Sequence, residues 1–422
     1  MRSADCYRAL VHPAQLATDL FGAEFIARPE PVHAMLRDQA PVAYHPATDL
    51  WLVSRYADIR TVLADDRTFA PDNALHAVTP LSVAALRVLA RHRFSLPPTL
   101  ANNATETHPG LRRLVAGFFD REAVTAAEPG IRELAAKLIA PVAATEGPVD
   151  LVAALAAELP TRVLYDLIGV PLETLDVDLA QIKEWSGAGL ELFWGRPGPD
   201  RQLDLARLSG EFHQWIAARI RAATPGAPDL FGRLAGHRVP DGSPLKLADA
   251  VGVCFFLLIA GQETTAQLLS TVLHRMLADR PLWTRLAQGE RGLAAACVEE
   301  VLRREPSVVT WKRQTTREVD LAGVRLPAGA KVLLMLAAAG SDETVHDQPE
   351  QLCPMRPNAR RHLAFGHGKH FCVGAELART ESAVVLDQLA RTLPELRPVP
   401  GPDPEYLGLL SFRAPLKVRA TH

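Results

Sequence analysis

At 422 residues the chain is long enough for roughly two or three ordinary domains, or for one large catalytic unit. Hydrophobic residues at 48% and charged residues at 22% fit a folded globular protein and exclude wholesale disorder. With 46 basic against 48 acidic residues, the net charge of -2 gives no general attraction to nucleic acid or to an anionic membrane.

The amino terminus, MRSADCYRALVHPAQLATDL, breaks every apolar stretch with Asp5, Arg8, His12 or Asp19, so no signal peptide is expected there. From Pro31 to Asp66 the pattern predicts a short helix (VHAMLRDQA), two strands (PVAYH and LWLVSR) and a second helix (YADIRTVLADD). Residues 70–107 are rich in proline and asparagine and predict a long loop with one helix near Leu81 to Arg91. Three helices with one buried face follow, over His108 to Phe119, Arg121 to Thr145 and Leu151 to Ile168. Trp185 to Asp200 (WSGAGLELFWGRPGPD), full of glycine and proline, reads as an exposed apolar connection, either a surface turn or a mobile lid. A long helix is predicted from Leu245 to Asp279. Its apolar run, Val251 to Gly261, is too short to span a bilayer and reads as core. Two shorter helices between Pro281 and Arg304 precede strands in VDLAGVRLPAGAKVLLMLA. With no repeat and no convincing linker, residues 1–422 parse as one catalytic domain of mainly α structure with small β-sheets, an α+β fold.

The cysteines, Cys6, Cys254, Cys297, Cys353 and Cys372, are scattered and never form C-x-x-C, which argues against disulfides or structural zinc and fits a reducing cytoplasm. Cys372 stands apart. It lies in FGHGKHFCVG, just before the helix-forming AELARTESAVVLDQLA, where a helix dipole, Lys369 and two histidines would favour thiolate. Taken alone, Cys372 reads more readily as a small buried hydrophobe. On the long helix Glu263, Thr264 and Thr265 directly follow an apolar run. Glu263 is either an acid held inside for a reason or a residue emerging on a solvated face.

The cysteine loop resembles the haem-binding signature F-x-x-G-x-x-x-C-x-G of the cytochrome P-450 family, through Phe365, Gly368, Cys372 and Gly374. AGQETT, Ala260 to Thr265, is similar to that family's oxygen-binding helix motif. Glu300 and Arg303 resemble its E-x-x-R pair, which locks to Arg356, and HPGLR resembles its H-x-x-x-R. The resemblance covers nearly the whole chain and departs in two places, at Gly340 and Ser341 and over Ala104 to Thr107, both read as local surface differences.

The resemblance implies the cytochrome P-450 fold, with haem b (iron protoporphyrin IX) between the long distal helix and the cysteine-loop helix. It makes Cys372 the iron ligand and places His108, Arg112, Arg313 and His370 on the haem propionates. Ala260, Gly261, Phe365, Gly366 and Gly374 join the haem site. Thr264 would steady the oxygen and Glu263 help deliver protons. The implied activity is monooxygenation by O2, with NAD(P)H electrons passed through separate ferredoxin and ferredoxin reductase partners. Those partners would dock near Arg113 and Lys369, and no nucleic-acid or membrane partner is implied. A peroxide-driven peroxygenase and a haem-based sensor are the rival readings, and neither needs the Glu263 and Thr264 pair. Pocket walls are expected from residues 94–103, 185–196, 256–264, 307–311 and 406–411, with Asn102, Asn103, Gln262 and Thr310 as orienting groups. A medium-sized apolar or aromatic small molecule of bacterial natural-product metabolism would fit them.

Overall fold

The computed structural model describes residues 14–422, so the reading of the extreme amino terminus, with Cys6, lies outside the described residues. Helices dominate. The longest, Leu247–Ala278, is the central helix, and it takes its neighbours on every side: Leu159–Leu167, Leu179–Trp194, Pro199–Ala222, Leu293–Arg304 and Ala375–Thr392 all pack against it. By length and composition it could cross a membrane, yet its apolar run from Ala250 to Ile259 is almost wholly buried among those helices. Apolar side chains all round a helix are satisfied in this way at the centre of a large core.

A six-stranded mixed sheet flanks the helices, in the order Ala14–Gln15, Val42–His45, Leu50–Val53, Lys331–Leu334, Trp311–Thr315, Phe69–Ala70. Val42–His45 and Leu50–Val53 form an antiparallel pair, Val42 opposite Val53. Leu50–Val53 then runs parallel to Lys331–Leu334, which joins the two ends of the chain. Trp311–Thr315 lies antiparallel to the same strand with Arg313 opposite Val332, so a strand of the sheet carries Arg313 to the wall of the central cavity. Val319–Leu321 and Val324–Leu326 form a separate hairpin.

Two predicted elements differ. The helix expected over Leu151 to Ile168 is broken into a π-turn, Val152–Ala156, and a helix, Leu159–Leu167. Pro160, which has no amide proton and whose ring clashes with the preceding turn, forces the break. The expected exposed connection over Trp185 to Asp200 is instead mostly helix, Leu179–Trp194, with the turn confined to residues 195–198. Trp185 and Trp194 are buried, and Trp185 stacks on Phe212 with ring centroids 5.4 Å apart. Gly189 serves close approach rather than turning, because a Cβ there would lie 2.6 Å from Ile259 Cδ1 of the central helix.

Candidate active site

Between the central helix and the cysteine loop lies a cavity enclosing about 1490 Å³ of space not filled by atoms, part of it open to solvent. Cys372 borders it from below. Gly366 and Gly368 adopt left-handed φ angles of 73° and 71°, which side-chain-bearing residues rarely adopt, and the Cys372 amide donates to the Phe365 carbonyl at 2.9 Å. The loop therefore folds back on itself and points the sulfur inward. Its exposure is to the cavity, since the thiol is otherwise surrounded by protein.

The electrostatics correct one expectation. Burial pushes the Cys372 thiol up from its ordinary value, against the pull of the Gly374 amide, Arg112 and Arg379. Lys369 does not contribute, because it pairs with Asp66 at 2.8 Å. Nor does the loop histidine His370 carry charge, since burial takes its pKa down to about 4; burial lowers that of His108 behind it as well. A coordinated metal deprotonates a thiol outright, so a thiolate here belongs to the metal-bound state.

Three of the four expected basic residues, Arg112, Arg313 and His370, line the same cavity, and His108 stands behind His370 without lining it. Arg112 lines it and donates from Nη2 to the Phe371 carbonyl at 2.7 Å. Arg313, 2% exposed, donates from Nη1 to its neighbour Lys312, while its buried Nε has no partner. Burial brings its pKa down to about 10, with Asp66 opposing. His370 takes Leu100 as partner at Nδ1, 3.0 Å away, and the rings of His370 and His108 lie 4.7 Å apart. The Nε2 atoms of both histidines are buried and unpartnered. Such a set of open donors on an apolar cavity calls for an anionic group on an apolar body. Haem, with propionates on a flat apolar ring, fits these residues.

Above the cavity the central helix presents Ala260, Gly261, Thr264 and Thr265. The Thr264 hydroxyl donates to the Ala260 carbonyl at 2.7 Å. Glu263 does not face the cavity. It forms an ion pair with Lys183 and lines a second groove with Glu184, Glu191, Arg201 and Gln267, and Leu190 lines both that groove and the cavity.

Four expected orienting groups are turned elsewhere. Gln262 Nε2 donates to Ser186 Oγ and to the Leu258 carbonyl, both at 2.7 Å, and its Oε1 accepts from Thr161 at 2.9 Å, so it staples three helices. Asn102 caps Thr99, Asn103 bonds Thr105 and Thr107, and Thr310 bonds the Leu410 carbonyl. Buried polar groups satisfy themselves with the nearest partner, and here that partner is the fold. The cavity wall is therefore apolar. Trp194 stacks near Trp311 with centroids 6.4 Å apart, Phe412 meets Trp194 edge-on at 5.1 Å, and Phe256, Leu257 and Val308 complete it.

The Glu300 and Arg303 pair is fully buried. Arg303 donates to Glu300 through Nη2 at 2.8 Å and Nε at 2.9 Å, and Arg356 joins at 3.2 Å. Gly340, read as a surface departure, is buried, and its carbonyl accepts from Arg303. A Cβ there would stand 1.8 Å from the Arg303 carbonyl oxygen, so a side chain cannot be fitted. Over Ala104 to Thr107 the altered lead-in is held by the Asn103 side chain. Sequence reasoning missed Glu299, which binds Arg379 and His362 beneath the cysteine loop.

Comparison with known proteins agrees with this geometry. The family model for cytochrome P-450 matches residues 233–404. The chain is 34% identical over 394 residues to the cytochrome P-450 monooxygenase PikC of Streptomyces venezuelae, covering 91% of this chain and 88% of that one. It is 32% identical over 360 residues to the erythromycin C-12 hydroxylase of Saccharopolyspora erythraea, covering 84% of each. Among solved structures it is similar to cytochrome P-450 CREJ in complex with (4-ethylphenyl) dihydrogen phosphate, with TM-score 0.88, 28% identity and coverage of 94% and 97%. The Tepidiphilus thermophilus P-450 heme domain superposes with TM-score 0.84 at 30% identity, covering 96% of each chain. A cavity built for an anion-bearing ring above a cysteine, and relatives of this closeness along the length of the chain, place it in the cytochrome P-450 family as a haem-dependent monooxygenase.

Proposed function

We propose that the chain binds haem b, which Cys372 would hold through its iron, and inserts one oxygen atom of O2 into a medium-sized apolar or aromatic substrate of bacterial secondary metabolism. The observation that carries this reading is the convergence of Cys372, Arg112, Arg313 and His370 on one apolar cavity beneath Thr264, with His108 packed behind His370. When bound, the haem supplies oxygen activation, and thiolate ligation favours O–O cleavage.

The two arginines and two histidines hold the propionates. Phe365, Gly366 and Gly374 shape the proximal side, and Ala260 and Gly261 leave space on the distal side. The Thr264 hydroxyl, which lines the cavity and donates to the Ala260 carbonyl, would on leaving that bond present a proton donor to the cavity. Glu263 sits at the outer groove, and release from Lys183 would let it pass protons from solvent toward that hydroxyl. Apart from the propionate cluster and His367, the polar groups on the wall are Cys372, the hydroxyls of Thr264, Thr265 and Ser307 and the indole N–H groups of Trp194 and Trp311, so the substrate is held mainly by shape and apolar contact.

Electrons come from NAD(P)H through a separate ferredoxin and ferredoxin reductase, which dock on the face nearest Cys372, where Arg113 is exposed. Lys369, engaged with Asp66, is the weaker contact. The protein works as one catalytic domain in the cytoplasm. Thr264→Ala tests the reading: fold and haem content should persist, while product per NAD(P)H consumed falls and hydrogen peroxide rises. An unchanged ratio would remove Thr264 from the proton path.

A further inference from the structure

The cysteine loop is gripped from a side that its signature residues do not explain. Glu299, on the helix Leu293–Arg304 beside Glu300, is 5% exposed and holds its own partners. One oxygen accepts from Arg379 Nε, and the other lies 3.2 Å from His362 Nε2. His362 Nδ1 accepts the Ala364 amide at 3.2 Å, which leaves the ring proton on Nε2, so a neutral imidazole donates to the carboxylate. Burial works against the charged form of Glu299, but these hydrogen bonds outweigh it and bring the pKa down to about 2.

Both partners lead to Phe365. The Arg379 guanidinium lies 4.5 Å from the centroid of its ring, and the His362 ring lies 5.9 Å from it. The Phe365 carbonyl in turn accepts the Cys372 amide at 2.9 Å. Arg379 stands on the helix Ala375–Thr392 that leaves the cysteine loop, so its charge lies on the Phe365 side of that loop. One buried carboxylate therefore fixes the position of a cation and of an aromatic ring beside the sulfur. Neighbouring Glu300 holds Arg356 and the Cys353 amide farther back along the same stretch.

We propose that Glu299 is a positioning residue for the proximal side of the site: through Arg379 and His362 it fixes the Phe365 ring and the charge beside Cys372, and so sets the electron affinity of the haem. The proposal rests on Cys372 being the ligand. A fixed positive charge near the thiolate favours the reduced, more negative state of the centre, and a carboxylate that partly offsets this charge opposes it.

The test is the ferric to ferrous midpoint potential of the haem-loaded protein, read by spectroelectrochemical titration together with the ferrous carbon monoxide spectrum. Arg379→Met removes the cation and should shift the potential negative. Glu299→Gln keeps an oxygen for Arg379 but removes the negative charge, and should shift it positive, with the double variant returning toward the parent. Arg379→Lys should stay close to the parent in potential yet lose haem faster to apomyoglobin, because the planar guanidinium over Phe365 is gone. Potentials within error of the parent in both single variants would overturn the proposal. So would shifts of the same sign, which report general loosening. If Cys372 were not the ligand, the parent itself would lack the thiolate spectrum before any variant was compared.

Discussion

Replacing Glu300 by leucine isolates the cost of the buried pair behind the cysteine loop. Glu300 is 0% exposed and accepts from Arg303 at 2.8 and 2.9 Å, from the Cys353 amide at 2.9 Å and from Arg356 at 3.2 Å. Leucine fills similar volume, so the loss is electrostatic: Arg303, equally buried, keeps only the carbonyls of Gly340, Pro349 and Gln351. Breaking a buried pair from one side costs about 3–5 kcal/mol. The unpaired Cys353 amide adds about 1 kcal/mol or more. Against a total stability of about 5–15 kcal/mol for a folded domain, the variant loses about a quarter or more. Urea unfolding of the haem-loaded protein measures this, with Glu300→Gln as the variant that keeps the shape and part of the hydrogen bonding. The sign with pH follows from the pKa. Burial raises the Glu300 carboxyl, but Arg303, the Cys353 amide and Arg356 outweigh it and hold it below its ordinary value. Its stabilisation is therefore complete above the ordinary glutamate range and is lost as pH falls through the lower folded value. Glu300→Gln should flatten that acid limb. A Glu300→Leu protein within about 1 kcal/mol of the parent would refute the assignment of a buried, uncompensated Arg303.

Gly189→Ala should push Ile259 Cδ1, 2.6 Å from the new methyl, toward the cavity that Ile259 lines. Overpacking costs about 1–3 kcal/mol, offset by about 1 kcal/mol of helix propensity, so the fold should hold while ligands that shift the haem spin state bind more weakly; unchanged affinities would place Ile259 away from the ligand. Arg113→Glu should raise the apparent KM for a soluble ferredoxin, and turnover should fall as salt rises; kinetics independent of both would move the docking face elsewhere.

The central helix was legible because its periodicity and turn signals are local: it was expected over Leu245 to Asp279 and runs Leu247–Ala278. The cysteine loop was legible through its resemblance to the family signature at Phe365, Gly368, Cys372 and Gly374, whereas the residues alone left Cys372 open to a buried, inert reading. Leu179–Trp194 was not, since the reason for Gly189 is a side chain on another helix, some seventy positions away, and nothing local distinguishes a glycine for close approach from one for a turn. The same limit applies to polar residues. Gln262 and Asn103 look alike in sequence whether they face a ligand or, as here, Ser186 and Thr105. Glu299 was hidden beside the recognisable Glu300, because its meaning depends on Arg379 and His362 arriving from later elements.

The account turns on the sulfur of Cys372, the one side chain whose chemistry the cavity is arranged around. The most direct measurement is the ferrous carbon monoxide difference spectrum of the haem-loaded protein beside that of Cys372→Ser. The parent should show the red-shifted band of thiolate ligation and the variant should lose it while still folding. A parent without that band, or a serine variant that retains it, would contradict the assignment.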